Sequence, residues 1–135
     1  MLENPKINIK LKLSALWASL MSLYIYGDYF ELYAPDKIEK LLSGTAILDS
    51  PTKLFMASLM LAIPSVMIAL SLLLKPIYSK WLNIVCGIFF TLLVIAVGST
   101  ALYTWYTFYV FYAFLEAIIT LLIVWYAWNW PKEES

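Results

Sequence analysis

Three acidic side chains, Asp28, Glu31 and Glu116, and the tyrosines around them are the residues of this chain best suited to chemistry. Glu116 is the only charged residue in the last three apolar stretches, and it sits inside an apolar, aromatic run from Leu102 to Trp130. A carboxylate at the middle of a bilayer costs about 3 kcal/mol on insertion scales. Each flanking Leu, Ile, Val or Phe returns about 0.3 to 0.6 kcal/mol. The run therefore still inserts, with Glu116 turned away from lipid toward a protein partner or a polar cavity.

Spacing gives the acid its company. Trp17, Met21, Tyr24, Asp28 and Glu31 recur at steps of three or four, and so do Trp105, Tyr109, Tyr112, Glu116 and Thr120. Each set lies on one face of a helix. With Lys12 and Trp128 as the inner margins of two antiparallel helices, Tyr24 and Glu116 lie equally deep, about 18 Å at a rise of about 1.5 Å per residue. The same count sets Asp28 beside Tyr112 and Glu31 beside Tyr109. A phenol can donate a hydrogen bond to a carboxylate, which keeps a buried acid satisfied. The expected candidate binding residues are thus Glu116, Asp28, Tyr24, Tyr112, Tyr109 and Glu31. Two readings of them stand side by side. In one, Asp28 and Glu31 mark the outer interface and Glu116 fixes helix register. In the other, the acids and rings line a cleft for a cation or a cationic amphipathic molecule, held by charge and by the ring faces together.

Other chemistry is poorly supplied. The chain has no histidine, and Cys86 is alone. An intrachain disulfide and metal sites built on Cys or His are excluded. No Gly-rich phosphate loop, Ser-His-Asp set or basic nucleic-acid stripe is present. The expectation is no cofactor, no bound metal, no nucleic-acid partner and no enzymatic activity.

These residues need helices to hold them at depth. Hydrophobic residues make up 63% of the 135-residue chain and charged ones 13%, with a net charge of zero, too apolar a balance for a soluble domain of this size. Four continuous apolar stretches, 13–33, 54–74, 81–102 and 106–130, approach the length a bilayer requires. Continuous rather than alternating, they read as helices and not as barrel strands. The expected fold is an all-α membrane protein: one membrane domain over 1–135, an antiparallel four-helix transmembrane bundle with a short external amphipathic helix. The basic start, Lys6, Lys10 and Lys12 before an apolar run, resembles a signal peptide but lacks a small-residue cleavage site, so it reads as a retained first span.

Lysines set the expected orientation. They stand before the first span, in the 75–80 turn and at Lys132, whereas those of the 34–53 loop are mixed with acids. Both termini are then expected in the cytoplasm, with the protein in the cell membrane. Trp125, Trp128 and Trp130 supply an inner aromatic belt. In the external loop, Pro35 and Asp36 start a helix, Ile38, Leu41 and Leu42 give it an apolar face, Gly44 ends it, and Asp36 and Lys40 pair across a turn. Small-residue stripes, Ser58-Ala62-Ser65-Ala69 and Asn83-Gly87-Thr91 with Gly98, predict close helix packing. Pro64 predicts a kink.

The segments Leu11 to Met21, Tyr24 to Phe30 and Ile63 to Pro76, with Trp81-Leu82-Asn83-Ile84 and Trp125 to Lys132, resemble a family of small bacterial integral membrane proteins. The resemblance implies four spans and lends no catalytic residues. In architecture alone it is loosely similar to DoxX-like proteins, which would imply a membrane subunit near quinone-linked redox chemistry. The expected function is binding or transport of a cation or a small cationic or amphipathic molecule at the Glu116 site. The alternative is a non-catalytic assembly subunit of a larger membrane complex. The expected partners are the lipid bilayer, such a ligand, and a second copy or a larger complex.

Overall fold

The computed structural model describes residues 1–45, 47–102 and 104–132, and among them every regular element is helical. The order is α1 (Ile9–Glu31), α2 (Lys37–Ser43), α3 (Pro51–Leu73), α4 (Pro76–Ser99), a 3-10 turn (Thr104–Tyr106) and α5 (Thr107–Trp128). Caps, not hydropathy, set the ends, which is why the helices depart from the predicted spans by a few residues. Asn8 Oδ1 accepts the Lys10 N–H at 2.8 Å and starts α1 ahead of its apolar run. Ser50 Oγ does the same for Lys53 at 3.1 Å, with Pro51 next in the first turn of α3. A proline disfavours helical geometry at the residue before it. Lys75 is accordingly extended, and the break between α3 and α4 falls there.

The four long helices pack as antiparallel neighbours: α1 against α3 and α5, α4 against α5, and α3 more lightly against α4. Register is readable from single contacts. Lys10 Nζ donates to the Leu74 carbonyl at 2.8 Å, Ser14 Oγ to the Ile68 carbonyl at 2.9 Å, and Ser65 Oγ to Met21 Sδ at 2.8 Å, so α1 and α3 run in opposite directions. Along α1 and α5, Lys12 lies over the Tyr126 ring and Phe30 meets Phe108 at the other end. Trp81 touches Trp128, and the Thr91 and Thr120 hydroxyls lie 2.8 Å apart, which orders α4 against α5. The core is Leu13, Trp17, Leu20, Met67, Ile84, Phe90, Ile123 and Ala127.

One buried polar knot pins the half of the bundle near Lys75. Trp17 Nε1 donates to Asn83 Oδ1 at 2.7 Å, and Asn83 Nδ2 donates to the Ser79 carbonyl at 2.8 Å. Ser71 and Ser79 close the ring, and all four residues are fully buried. Every polar group of the knot has a partner, as a dry interior demands.

The α3, α4 and 104–128 segments are each long and apolar enough to cross a membrane. The first of the four expected spans, α1, is less apolar, carrying Lys10, Lys12, Asp28 and Glu31 toward its ends.

Two expectations are corrected. The α4 stripe is buried as packing requires at Asn83, Gly87 and Thr91, but Ser58, Ala62, Ser65 and Ala69 of α3 are exposed. The reason is rotation: α3 turns Pro64, Met67 and Ser71 inward instead. Pro64 lies within an α3 that stays helical from Pro51 to Leu73. Asp36 and Lys40 form no ion pair; Asp36 has φ 68°, outside helical geometry, and the pair made is Lys37 with Glu31 at 3.0 Å. The short helix expected in the loop after the first span is present as α2, and none of its residues is buried.

Candidate functional site

All four long helices contribute to one cavity of about 160 Å³. From α1 come Tyr24, Gly27 and Asp28, and from α3 Met60 and Leu61. From α4 come Leu93, Val94, Val97 and Gly98, and from α5 Tyr109, Ala113 and Glu116. Small residues let the helices close in at this level. Gly27 leaves room beside the Tyr112 ring, and Gly98 stands so close to Ala113 that an added Cβ would come within 3.0 Å of it.

Four of the six expected site residues, Glu116, Asp28, Tyr24 and Tyr109, share this cavity. Asp28 is exposed at its rim, while Glu116 is 9% exposed. Among the described residues Glu116 has no hydrogen-bond or ion-pair partner. The Tyr24 hydroxyl is buried with none either. The expected Tyr24–Glu116 hydrogen bond is therefore not formed, although both residues line the same space. Two carboxyl groups and no basic side chain line the cavity, so its field favours a cation.

The other two expected residues lie elsewhere. Glu31 is held by Lys37 and does not line the cavity, because the loop after α1 brings that ammonium to it. Tyr112 packs against Gly27 and lines a neighbouring surface pocket with Phe30, Tyr33, Ala34, Trp105 and Phe108. Thr120, one turn from Glu116, is buried and near hydrogen-bonding distance of Thr91 and of its own helix, so its hydroxyl is satisfied.

The α3 and α4 walls were not foreseen. Met60, Leu61, Leu93 and Val97 are ordinary apolar residues, and nothing in their type marks a site; only Gly98 carries a signal, as a small residue at a close helix contact. No cluster of three or more Cys, Asp or Glu able to hold a metal occurs among the described residues.

This is the architecture of a helical protein with long apolar helices gathered around an acidic, aromatic cavity. The chain belongs to a family of unknown function, DUF6326, whose model matches residues 4–135. Neither a curated protein nor a solved structure matches it.

Proposed function

We propose that this is a four-span protein of the cell membrane, both termini cytoplasmic, that binds a small cationic, amphipathic molecule at Glu116 and passes it across or hands it on. The observation that carries the reading is the unpartnered, nine-tenths-buried Glu116 in a cavity that also holds the orphaned Tyr24 hydroxyl. Buried polar groups are ordinarily paired. A ligand ammonium meets both needs: it pairs with the carboxylate and donates to the phenol oxygen, while its apolar body rests on Met60, Leu61, Leu93 and Val97. Asp28, exposed at the rim, would draw the cation in. The site supports recognition rather than catalysis, since it offers no nucleophile with an adjacent base.

Four spans require that α1 cross as well. Its uncharged stretch of 15 residues, Leu13 to Gly27, covers about 22 Å at about 1.5 Å per residue. Lys10 and Lys12 extend that reach by snorkelling. Its packing between α3 and α5, both candidate spans, supports the same depth.

The test is thermal unfolding of the purified chain in detergent with octylammonium, tetrapropylammonium, sodium or potassium ions. A site ligand at a hundred times its Kd adds about 2.7 kcal/mol of stability. Octylammonium should raise the midpoint of the wild type and not that of Glu116→Gln. Equal stabilisation of both would remove Glu116 from the site.

A second reading rests on a different observation. The exposed Ser58-Ala62-Ala69 face of α3 is the kind of surface on which membrane helices approach closely. It supports docking to a second copy or to a larger membrane complex, redox-linked or otherwise.

A further inference from the structure

The two ends of the bundle differ in how their charges are used. At the α2 end, acids and lysines neutralise one another: Lys37 pairs with Glu31, and Lys53 with Asp49 at 2.8 Å. At the opposite end stand Lys10, Lys12, Lys75 and Lys80, with Lys132 following α5. Among the described residues the only acid there is Glu3, in the segment before α1. Lys10 is spent on the Leu74 carbonyl and Lys12 on the Tyr126 ring. Among the described residues neither Lys75 nor Lys80 has an acidic partner. The Lys80 ammonium is posed 5.5 Å from the Trp81 ring and 5.8 Å from Trp128, which fixes where its charge sits.

Beside these two lysines runs an apolar surface groove of about 590 Å³, lined by Leu74, Ile77, Tyr78, Trp81, Leu82 and Val85. Ile77, Trp81 and Val85 are spaced by four, so they form one strip along α4. From Ile77 to Val85 the strip is about 12 Å long, at about 1.5 Å per residue. Along the helix Lys75 precedes the strip and Lys80 falls next to Trp81 within it, and from there the strip leads toward the middle of α4.

We infer that this end is a binding site for an anionic phospholipid, its phosphate between Lys75 and Lys80 and an acyl chain along the Ile77-Trp81-Val85 strip. Charge complementarity selects the occupant: two lysines with no acidic partner among the described residues, joined to an apolar groove, fit an amphiphile with a negative head. Lysines that served only to orient insertion would need neither the aromatic seats nor the groove. Free phosphate would use the lysines and leave the groove unused. This site shares no residue with the Glu116 cavity, so either can fail alone.

The experiment is native mass spectrometry of the full chain released from micelles, with dioctanoyl phosphatidylglycerol, dioctanoyl phosphatidylcholine or glycerol phosphate added. Retention of phosphatidylglycerol should exceed that of phosphatidylcholine, and glycerol phosphate should not be retained. Each lysine lost should lower retention about fivefold. Lys75→Gln with Lys80→Gln should therefore show a large loss, and Lys40→Gln with Lys53→Gln, at the other end, none. Should the first pair fold poorly, Val85→Trp blocks the groove from an exposed position and should lower phosphatidylglycerol retention with every lysine present. Equal retention of the two lipids, retention of glycerol phosphate as strong as that of the lipid, equal loss in both double variants, or full retention by Val85→Trp would overturn the site. Incorporation into phosphatidylcholine vesicles, unaffected by any of these outcomes, checks the membrane reading separately.

Discussion

Tyr24 and Asn83 are both polar and both turned into the bundle, yet their surroundings make opposite demands. The Asn83 amide is tied to Trp17, Ser71 and Ser79, whereas the Tyr24 hydroxyl has no partner among the described residues. Removing one partner of a buried hydrogen bond costs about 1 to 3 kcal/mol, because the other is left dry and unpaired. Asn83→Leu should lose that much by orphaning the Trp17 indole N–H. Tyr24→Phe removes an already orphaned group and should leave stability unchanged or raise it by up to about 1 kcal/mol. Reversible unfolding in mixed detergents measures both. If Tyr24→Phe proved as harmful as Asn83→Leu, the hydroxyl would have a structural partner and the cavity would lose its vacant polar group. The site was partly legible at this scale. Glu116 drew notice because nothing else in its run is charged, and helical spacing then supplied Tyr24, Asp28 and Tyr109. Glu31 lies outside the cavity because its partner, Lys37, comes from a turn whose path no periodicity encodes. The absence of a Tyr24–Glu116 bond was equally hidden, since spacing fixes depth along a helix but not its rotation.

Small residues let the helices approach closely, as small residues do between membrane helices. The α4–α5 seam depends on Gly87, where an added Cβ would lie 2.7 Å from Val124 Cγ2 and 3.3 Å from Ile123 Cγ2. Both obstructing groups belong to β-branched side chains with little freedom in a helix. Gly87→Ala should therefore cost about 1 to 3 kcal/mol through overpacking. Gly27→Ala offers the comparison: its Cβ would meet only the Tyr112 ring at 3.5 Å, an ordinary contact. There the better helix propensity of Ala, worth about 1 kcal/mol, should prevail. The measured order should be Gly27→Ala at or above wild type and Gly87→Ala below it; the reverse order would mean the seam is loose. The helices themselves were readable from continuous apolar runs, and the α4 stripe from its small residues. The α3 stripe misled because small residues permit close approach without compelling it. Pro64, Met67 and Ser71 decided which way that helix turned.

At the scale of the molecule, the count of spans decides what the cavity can do, because it sets whether Tyr24 and Asp28 stand within the bilayer beside Glu116. The three strongest apolar helices are clear from hydropathy, and α1 is the open term. An even number of crossings puts the N-terminus and Lys132 on the same side, and an odd number separates them. Lysine placement gives the sign: Lys75 and Lys80 should lie in the cytoplasm, and α2 outside. The prediction can be read in intact cells on a Cys86→Ser background, with single cysteines at Asn4, Ser43 and Lys132. Ser43→Cys should react with a membrane-impermeant maleimide from outside, while Asn4→Cys and Lys132→Cys should react only after the membrane is opened. Labelling of Asn4→Cys together with Ser43→Cys would mean that α1 lies along the surface and the protein crosses three times. The cavity would then lose one of its walls within the bilayer. Tyr24 and Asp28 would no longer stand at the depth of Glu116, and that acid would need another source for its counter-charge.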